Sequence, residues 1–227
     1  MRSRLVLLLV ALLPLFSGCN KQDLNYFTGF EAGVIDAGRF TSDNGISMKI
    51  EQNQERFDIQ TPRRVLLSYE TTSFEEHAGI SVAPLDILDA VVTPPVPETD
   101  IPEAAEDTPT TISNAWFSGG YMNILASVEA SDAALHTFSL AFAVNANETV
   151  LRLRHDSSND SSTAKKARNV FLSFPMNDVV QAFDLFRISL GMEILSPVPV
   201  LFQWTGYEQK DGPAVLIQKE GSFTPNP

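Results

Sequence analysis

Thr93-Pro94-Pro95-Val96-Pro97-Glu98-Thr99-Asp100-Ile101-Pro102-Glu103-Ala104-Ala105-Glu106-Asp107-Thr108-Pro109-Thr110 divides the chain in two. Its prolines remove backbone donors and stiffen the chain, and its carboxylates repel one another and extend it. Residues 94–110 therefore read as an interdomain connector. The chain changes register on either side of it, and both sides read as strands.

Upstream, Phe30, Val34, Ile35 and Phe40 stand apolar among small and polar neighbours. Ser42-Asp43-Asn44-Gly45 is a tight turn, because Asn and Gly accept a positive φ. Ile46, Met48 and Ile50 then alternate with Ser47, Lys49 and Glu51, the period of a half-buried strand. Arg63–Thr72 carries Val65-Leu66-Leu67 and Tyr69. Ala78–Val92 is broken by Pro84, and reads as two short strands or as one with an edge bulge. So many short strands over 27–93 suit a small barrel, since closure removes exposed edges.

Downstream, Ile112–Ser118 and Tyr121–Ile124 flank Gly119-Gly120, a hairpin turn. His136–Val144, Thr149–Arg154, Asn169–Phe174, Pro199–Tyr207 and Ala214–Gln218 read as further strands. Asn177 is placed to cap a short helix with Val179, Val180, Phe183 and Phe186 on one stripe, closed by Gly191. About seven strands over 111–227 give a β-sandwich of immunoglobulin-like size. The expected class is all-β: an N-terminal OB-like barrel followed by a C-terminal immunoglobulin-like β-sandwich.

The first residues decide the compartment. Arg2 and Arg4 precede the apolar run Leu5–Phe16, which is shorter than the ~20 residues a membrane-spanning helix needs. A basic start, an apolar core and small residues before a cut site make a secretory signal peptide over 1–18. Phe16-Ser17-Gly18-Cys19 resembles a bacterial lipobox, with Phe16 where Leu is usual. Cys19 is the single cysteine of the chain, and only a thiol accepts the lipid. The expectation is a lipid-anchored outer-membrane lipoprotein with a polar tether over 19–26. Its periplasmic or surface face is left open.

Composition excludes several functions. The chain of 227 residues carries a net charge of −12, and the signal peptide removes only basic groups. Nucleic-acid binding relies on Lys and Arg against phosphate, and Lys165-Lys166-Ala167-Arg168 is the densest basic cluster present. With one cysteine, no intrachain disulfide and no thiolate metal cluster forms.

The order of these pieces resembles the NigD-like lipoprotein family. The likeness is carried by Ile112-Ser113-Asn114-Ala115-Trp116 leading to Gly119-Gly120-Tyr121-Met122-Asn123-Ile124. It recurs in Leu151-Arg152-Leu153-Arg154-His155-Asp156, in Val170-Phe171-Leu172-Ser173-Phe174, and in Gly206-Tyr207 with Asp211-Gly212. The resemblance implies an OB-type domain joined to a β-sandwich, and a suggested link to bacteriocin immunity. It brings no catalytic residue.

Candidate sites are few. His155 and Asp156 are adjacent, so on a strand they point to opposite faces and make a poor acid–base pair. His77, His136 and His155 share no short metal-ligand spacing, and no metal is expected. Asp156-Ser157-Ser158-Asn159-Asp160 is rich in oxygen but lacks the spacing and Gly of a calcium loop. Neither a Gly-x-Ser-x-Gly elbow nor a phosphate-cradling loop is present. The candidate binding residues are aromatic: Tyr121 and Tyr207, expected to reach solvent, and Trp116 and Trp204, expected in the core. The expected function is a non-enzymatic, cofactor-free envelope module that binds a protein, with glycan binding at the tyrosines as the alternative.

Overall fold

A computed structural model describes residues 27–51, 54–75, 79–100, 107–208 and 212–225. The signal peptide, Cys19, the tether and His77 lie outside the described residues.

Five strands form the first module: β1 (Thr28–Asp36), β2 (Arg39–Ser42), β3 (Ser47–Ile50), β4 (Arg63–Glu75) and β5 (Gly79–Val92). β1 pairs antiparallel with β2 and β4, β2 with β3, and β4 with β5. A parallel β3–β5 pairing closes the ring. The alternation in the sequence supplies the interior, because every second side chain points inward. Ile35, Phe40, Met48, Ile50, Leu67 and Val82 are buried there together. The expected turn closes as Gly45 N donates to Ser42 O at 2.9 Å. The described part of that segment, Gly79–Val92, is one strand, and its register slips where Tyr69 faces Pro84, which leaves Leu85 without an opposite partner.

The first half of β1 has one neighbour only. Thr28–Glu31 pairs with β4 alone, because the β2 side reaches back no further than Ala32, whose carbonyl accepts from Asp43 N at 2.9 Å.

The described ends of the expected connector, 94–100 and 107–110, contact the second module. β6 (Val96–Pro97) pairs parallel with β9 (Thr137–Val144) at the edge of a sheet, where a missing Pro N–H costs nothing. Glu98 pairs with Arg152 at 2.6 Å and Asp107 with Arg154 at 2.7 Å. Thr108 N donates to His155 O at 2.8 Å, and Thr110 N to Thr205 O at 2.9 Å. Two of the carboxylates, Glu98 and Asp107, are thus paired with arginines that sequence spacing does not place beside them.

The sandwich proper holds β7 (Thr111–Ser118), β8 (Tyr121–Ala130), β10 (Thr149–Asp156), β11 (Lys166–Pro175), β12 (Val198–Tyr207) and β13 (Ala214–Phe223) with β6 and β9. One layer is β11-β8-β7. The other runs β13-β12-β10-β9-β6. Ile124, Leu140, Leu151, Leu172 and Phe202 fill the space between them. Each such side chain contributes roughly 1.5–3 kcal/mol on burial.

Helix α1 (Asn177–Ser189) crosses from β11 to β12. Asn177 is its first helical residue; Met176 stands at the cap, without a side-chain bond. The buried stripe is Val179, Phe183 and Arg187. Phe186, expected on that stripe, is exposed.

The two modules share a sheet. Ile80–Val82 of β5 pairs with β3 inside the barrel, and Ala90–Val92 of the same strand pairs parallel with Phe171–Ser173 of β11. The result is one eight-stranded sheet, β3-β2-β1-β4-β5-β11-β8-β7. Ala32, Leu66 and Phe171 are buried across this seam.

Candidate binding groove at the module junction

The seam carries a polar cluster beside its apolar one. Arg64, on β4, projects from the barrel toward the sandwich. Its Nη1 and Nη2 donate to the two oxygens of Asp43 at 2.8 and 2.7 Å. Nη2 also donates to Asn123 Oδ1 at 2.9 Å, and Nε to Ser173 Oγ at 2.5 Å. Ser118 Oγ donates to Asp43 at 2.6 Å, and Asn123 Nδ2 returns to Ser118 at 2.9 Å. Both charged side chains are 7% exposed, so neither charge is left to water. A buried charge is tolerated only when paired and hydrogen-bonded, and here every arm of the guanidinium is used. The guanidinium also lies 3.8 Å over the ring of Tyr121.

Beside this cluster lies a groove of about 360 Å³. β1 gives it Phe30 and Glu31, the barrel turn gives Asn44, and β7 gives Asn114 and Trp116. Trp116 rests on Phe171, the rings stacked at 6.0 Å, so the seam fixes its orientation. Glu31 accepts a hydrogen bond from the Tyr69 hydroxyl through Oε1 at 2.8 Å. Its Oε2 has no hydrogen-bond partner. Burial, and then the Glu31 carboxylate, push the Tyr69 hydroxyl above its ordinary range, so it stays a donor. Asp43 reaches the same groove but is neutralised by Arg64. On the other face of β7 is a smaller slot of about 120 Å³, lined by Ala115, Phe117, Met122, Phe202 and Gly221 among others.

A second polar cluster lies inside the sandwich. Asp160 accepts from Ser131 Oγ at 2.6 Å and from Ser131 N at 2.8 Å. His136 Nε2 lies 3.1 Å from Asp160, and His136 Nδ1 lies 2.7 Å from His155 Nε2. His155 Nδ1 ends the chain 2.8 Å from Thr110 Oγ1. Phe138 stacks on His155 with centroids 4.5 Å apart. Burial, and then the neighbouring His136, lower His155 to about 4. The serine hydrogen bonds hold the Asp160 carboxyl well below the usual carboxylate range. Asp160, His136, His155 and Thr110 thus form one continuous hydrogen-bonded chain, and the Thr110 hydroxyl donates on to Thr108 O at 3.3 Å. This is an internal hydrogen-bond wire. No cluster of three or more metal-ligating side chains occurs among the described residues.

The four aromatic candidates are not brought together. Trp116 lines the groove. Tyr121, expected at the surface, is half-buried beneath Arg64. Trp204 packs on the sandwich core, its ring 5.1 Å from Phe202. Tyr207 is 48% exposed at the far end of β12. His155 points inward while Asp156 is exposed, as strand alternation requires. Asp160, expected in a solvated turn, is folded inward and 4% exposed.

Sequence reasoning missed Arg64, Glu31 and the His136–His155 contact. Each depends on pairing between elements far apart in the chain. Only the strand parity of Phe138 and His155, which become direct partners, carries a trace of it.

Residues 94–184 match the model of the NigD-like C-terminal β-sandwich domain. The second module is therefore similar to the NigD-like C-terminal β-sandwich domain. The match begins within the proline-rich segment, where the structure begins the sandwich. Among solved structures, the chain is similar to a NigD-like immunity protein from Bacteroides caccae, at 19% identity and a TM-score of 0.59. That match covers 87% of this chain and 97% of the other. A candidate lipoprotein from Bacteroides fragilis is similar at 13% identity and a TM-score of 0.53, over 88% and 99% of the two chains. A candidate toxin-related protein from Parabacteroides distasonis is similar at 13% identity and a TM-score of 0.52, over 86% and 93%. These likenesses establish the two-module all-β fold. The comparison with curated proteins finds no match.

Proposed function

We propose that this chain is a non-enzymatic, lipid-anchored envelope protein whose junction groove binds a protein partner in an immunity-related role. The groove carries the reading. It sets an oriented tryptophan, Trp116, beside an incompletely satisfied carboxylate, Glu31, on a seam held rigid by Arg64. A fixed aromatic anchor next to a polar group is the usual core of a protein-recognition patch. The buried histidine wire is enclosed and lacks access for a substrate. The immunity protein and the candidate lipoprotein among the structural relatives support the role and the anchor.

Cross-linking at a photoreactive residue placed at Asn114, in cells carrying the full chain, tests it. A discrete adduct that disappears in Trp116→Ala is the expected result. A Trp116→Ala chain that gives the same adduct overturns the groove as the site.

Glycan binding is the second reading, favoured by Asn44 and Asn114 flanking Trp116 in the same groove. A glycan array read with the wild type and Trp116→Ala separates it from protein binding.

A further inference from the structure

β7 is the terminal strand of the eight-stranded sheet and pairs with β8 alone. Its turn, Gly119-Gly120, has both φ values positive, at 58° and 82°, and joins Ser118 directly to Tyr121. In a two-residue hairpin the flanking pair is hydrogen-bonded, and pairs alternate from there. Ser118, Trp116 and Asn114 therefore spend their backbone groups on β8. Ala115 and Phe117 aim their N–H and C=O groups away from it. Among the described residues neither makes a backbone hydrogen bond on that side.

The two cavities lie on opposite faces of this one strand. Asn114 lines the groove alone and Ala115 the slot alone, while Trp116 borders both. Phe117 lines both. A chain laid along the outer edge of β7 drops alternate side chains into the groove and the slot, since strand side chains alternate. An open edge with pockets on both faces is the arrangement by which a sheet takes in a foreign strand. The main chain then gives affinity, and the pockets give specificity.

The chemistry of the pockets describes the segment. Among the groove-lining residues Glu31 and Asp43 are the only charges, and Arg64 already compensates Asp43. Glu31 remains, with Trp116 and Phe30 in the same walls. A carboxylate beside aromatic faces selects a cation. The net charge of −12 draws the same class of ligand. The slot sets Phe117, Met122, Val200 and Phe202 beside Lys219 and Glu220, and its apolar wall takes an aliphatic side chain.

We infer that β7 accepts an extended segment of a partner protein as an added strand, with a Lys or Arg side chain entering the groove at Glu31 and aliphatic neighbours entering the slot. This rests on the protein-binding reading above and specifies its geometry.

Amide hydrogen exchange of the mature chain, followed by NMR, tests the proposal. The probe is an end-blocked Thr-Val-Lys-Val-Thr peptide at millimolar concentration, compared with Thr-Val-Glu-Val-Thr. The lysine peptide is expected to slow exchange at the Ala115 and Phe117 N–H groups by about tenfold, and the glutamate peptide to leave both unchanged. Glu31→Gln, which keeps an acceptor for Tyr69, is expected to weaken the lysine peptide about tenfold. Ala115→Pro removes an outward donor without touching the ladder to β8, and is expected to abolish the slowing. Equal slowing by both peptides, or no slowing at these two amides, overturns strand addition. A cellular partner whose cross-link to the groove survives Ala115→Pro also overturns it, yet leaves the protein-binding reading standing; the loss of any adduct from the wild-type chain sinks that reading itself.

Discussion

Arg64 of the barrel donates its Nε to Ser173 Oγ of the sandwich over 2.5 Å. Every other arm of that guanidinium is also bonded, so the contact is part of a closed network. Its Asp43 partner belongs to the barrel turn, yet accepts from Ser118 on the opposite module. Removing one member therefore strands several others.

Asp43→Ala leaves the Arg64 cation buried without its counter-ion. We expect a loss of about 3–5 kcal/mol, as for other broken buried pairs, read as a lower urea midpoint. Replacing the pair together, as Arg64→Met with Asp43→Leu, is expected to recover much of that loss, because no charge is then stranded.

Two glycines with similar backbones separate strain from crowding. Gly119 has φ 58°, and a Cβ there would lie 2.5 Å from Asp43 Oδ1. Gly45 has φ 80°, and a Cβ there would meet nothing within 4 Å. Gly45→Ala is expected to cost about 1–2 kcal/mol, the strain of the left-handed region alone. Gly119→Ala must in addition push Asp43 off Arg64, and is expected to cost clearly more. Thermal unfolding of the two variants side by side gives the difference.

The histidine wire makes stability depend on pH. The His155 imidazole is lowered in the fold to about 4, while in the unfolded chain it titrates near 6.5. Its contribution is complete above about pH 6.5 and is lost as the pH falls toward about 4, because the unfolded state takes the proton first. The loss amounts to roughly 3 kcal/mol at most. Asp160 is also lowered, and its contribution falls away only at lower pH, below the ordinary carboxylate range. Urea unfolding between about pH 7 and pH 4 should show a declining midpoint in the wild type and a flatter one in His155→Gln.

The barrel and the hairpins were legible because they rest on local rules. Alternation placed Phe40, Met48 and Ile50 inside, and Gly119-Gly120 marked a turn that the backbone confirms. The pairing of Glu98 and Asp107 with arginines was hidden, since the composition of residues 94–110 favours extension in isolation. Arg152 and Arg154, brought alongside by strand pairing, reverse that preference. Asn177 misled by one position, as Met176 holds the cap without a side-chain bond. The groove itself was only partly visible: Trp116 stood out by residue type, whereas Glu31 looked like any exposed strand carboxylate. His136 and His155 meet through a β9–β10 register that no short spacing encodes.

Arg187 offers a test of the helix end. It is 6% exposed, donates Nε to Glu193 O at 2.6 Å and bonds Ala146 O. Arg187→Met keeps the packing stem and removes both bonds. We expect a loss of about 1–3 kcal/mol and faster proteolysis after Leu190, measured as cleavage rate against the wild type.

β5 runs its 14 residues through both modules without a break. A hinge needs a few residues whose dihedral angles are free to turn, and here β4 pairs with the strand up to Asp89 and β11 takes it up from Ala90, so no unpaired residue separates the modules. The strand works as a spar. A pull or twist applied to one end of the body reaches the other undiminished, so an encounter at the envelope reorients the whole protein and not one lobe of it. Small-angle scattering should accordingly report a single particle of fixed dimensions.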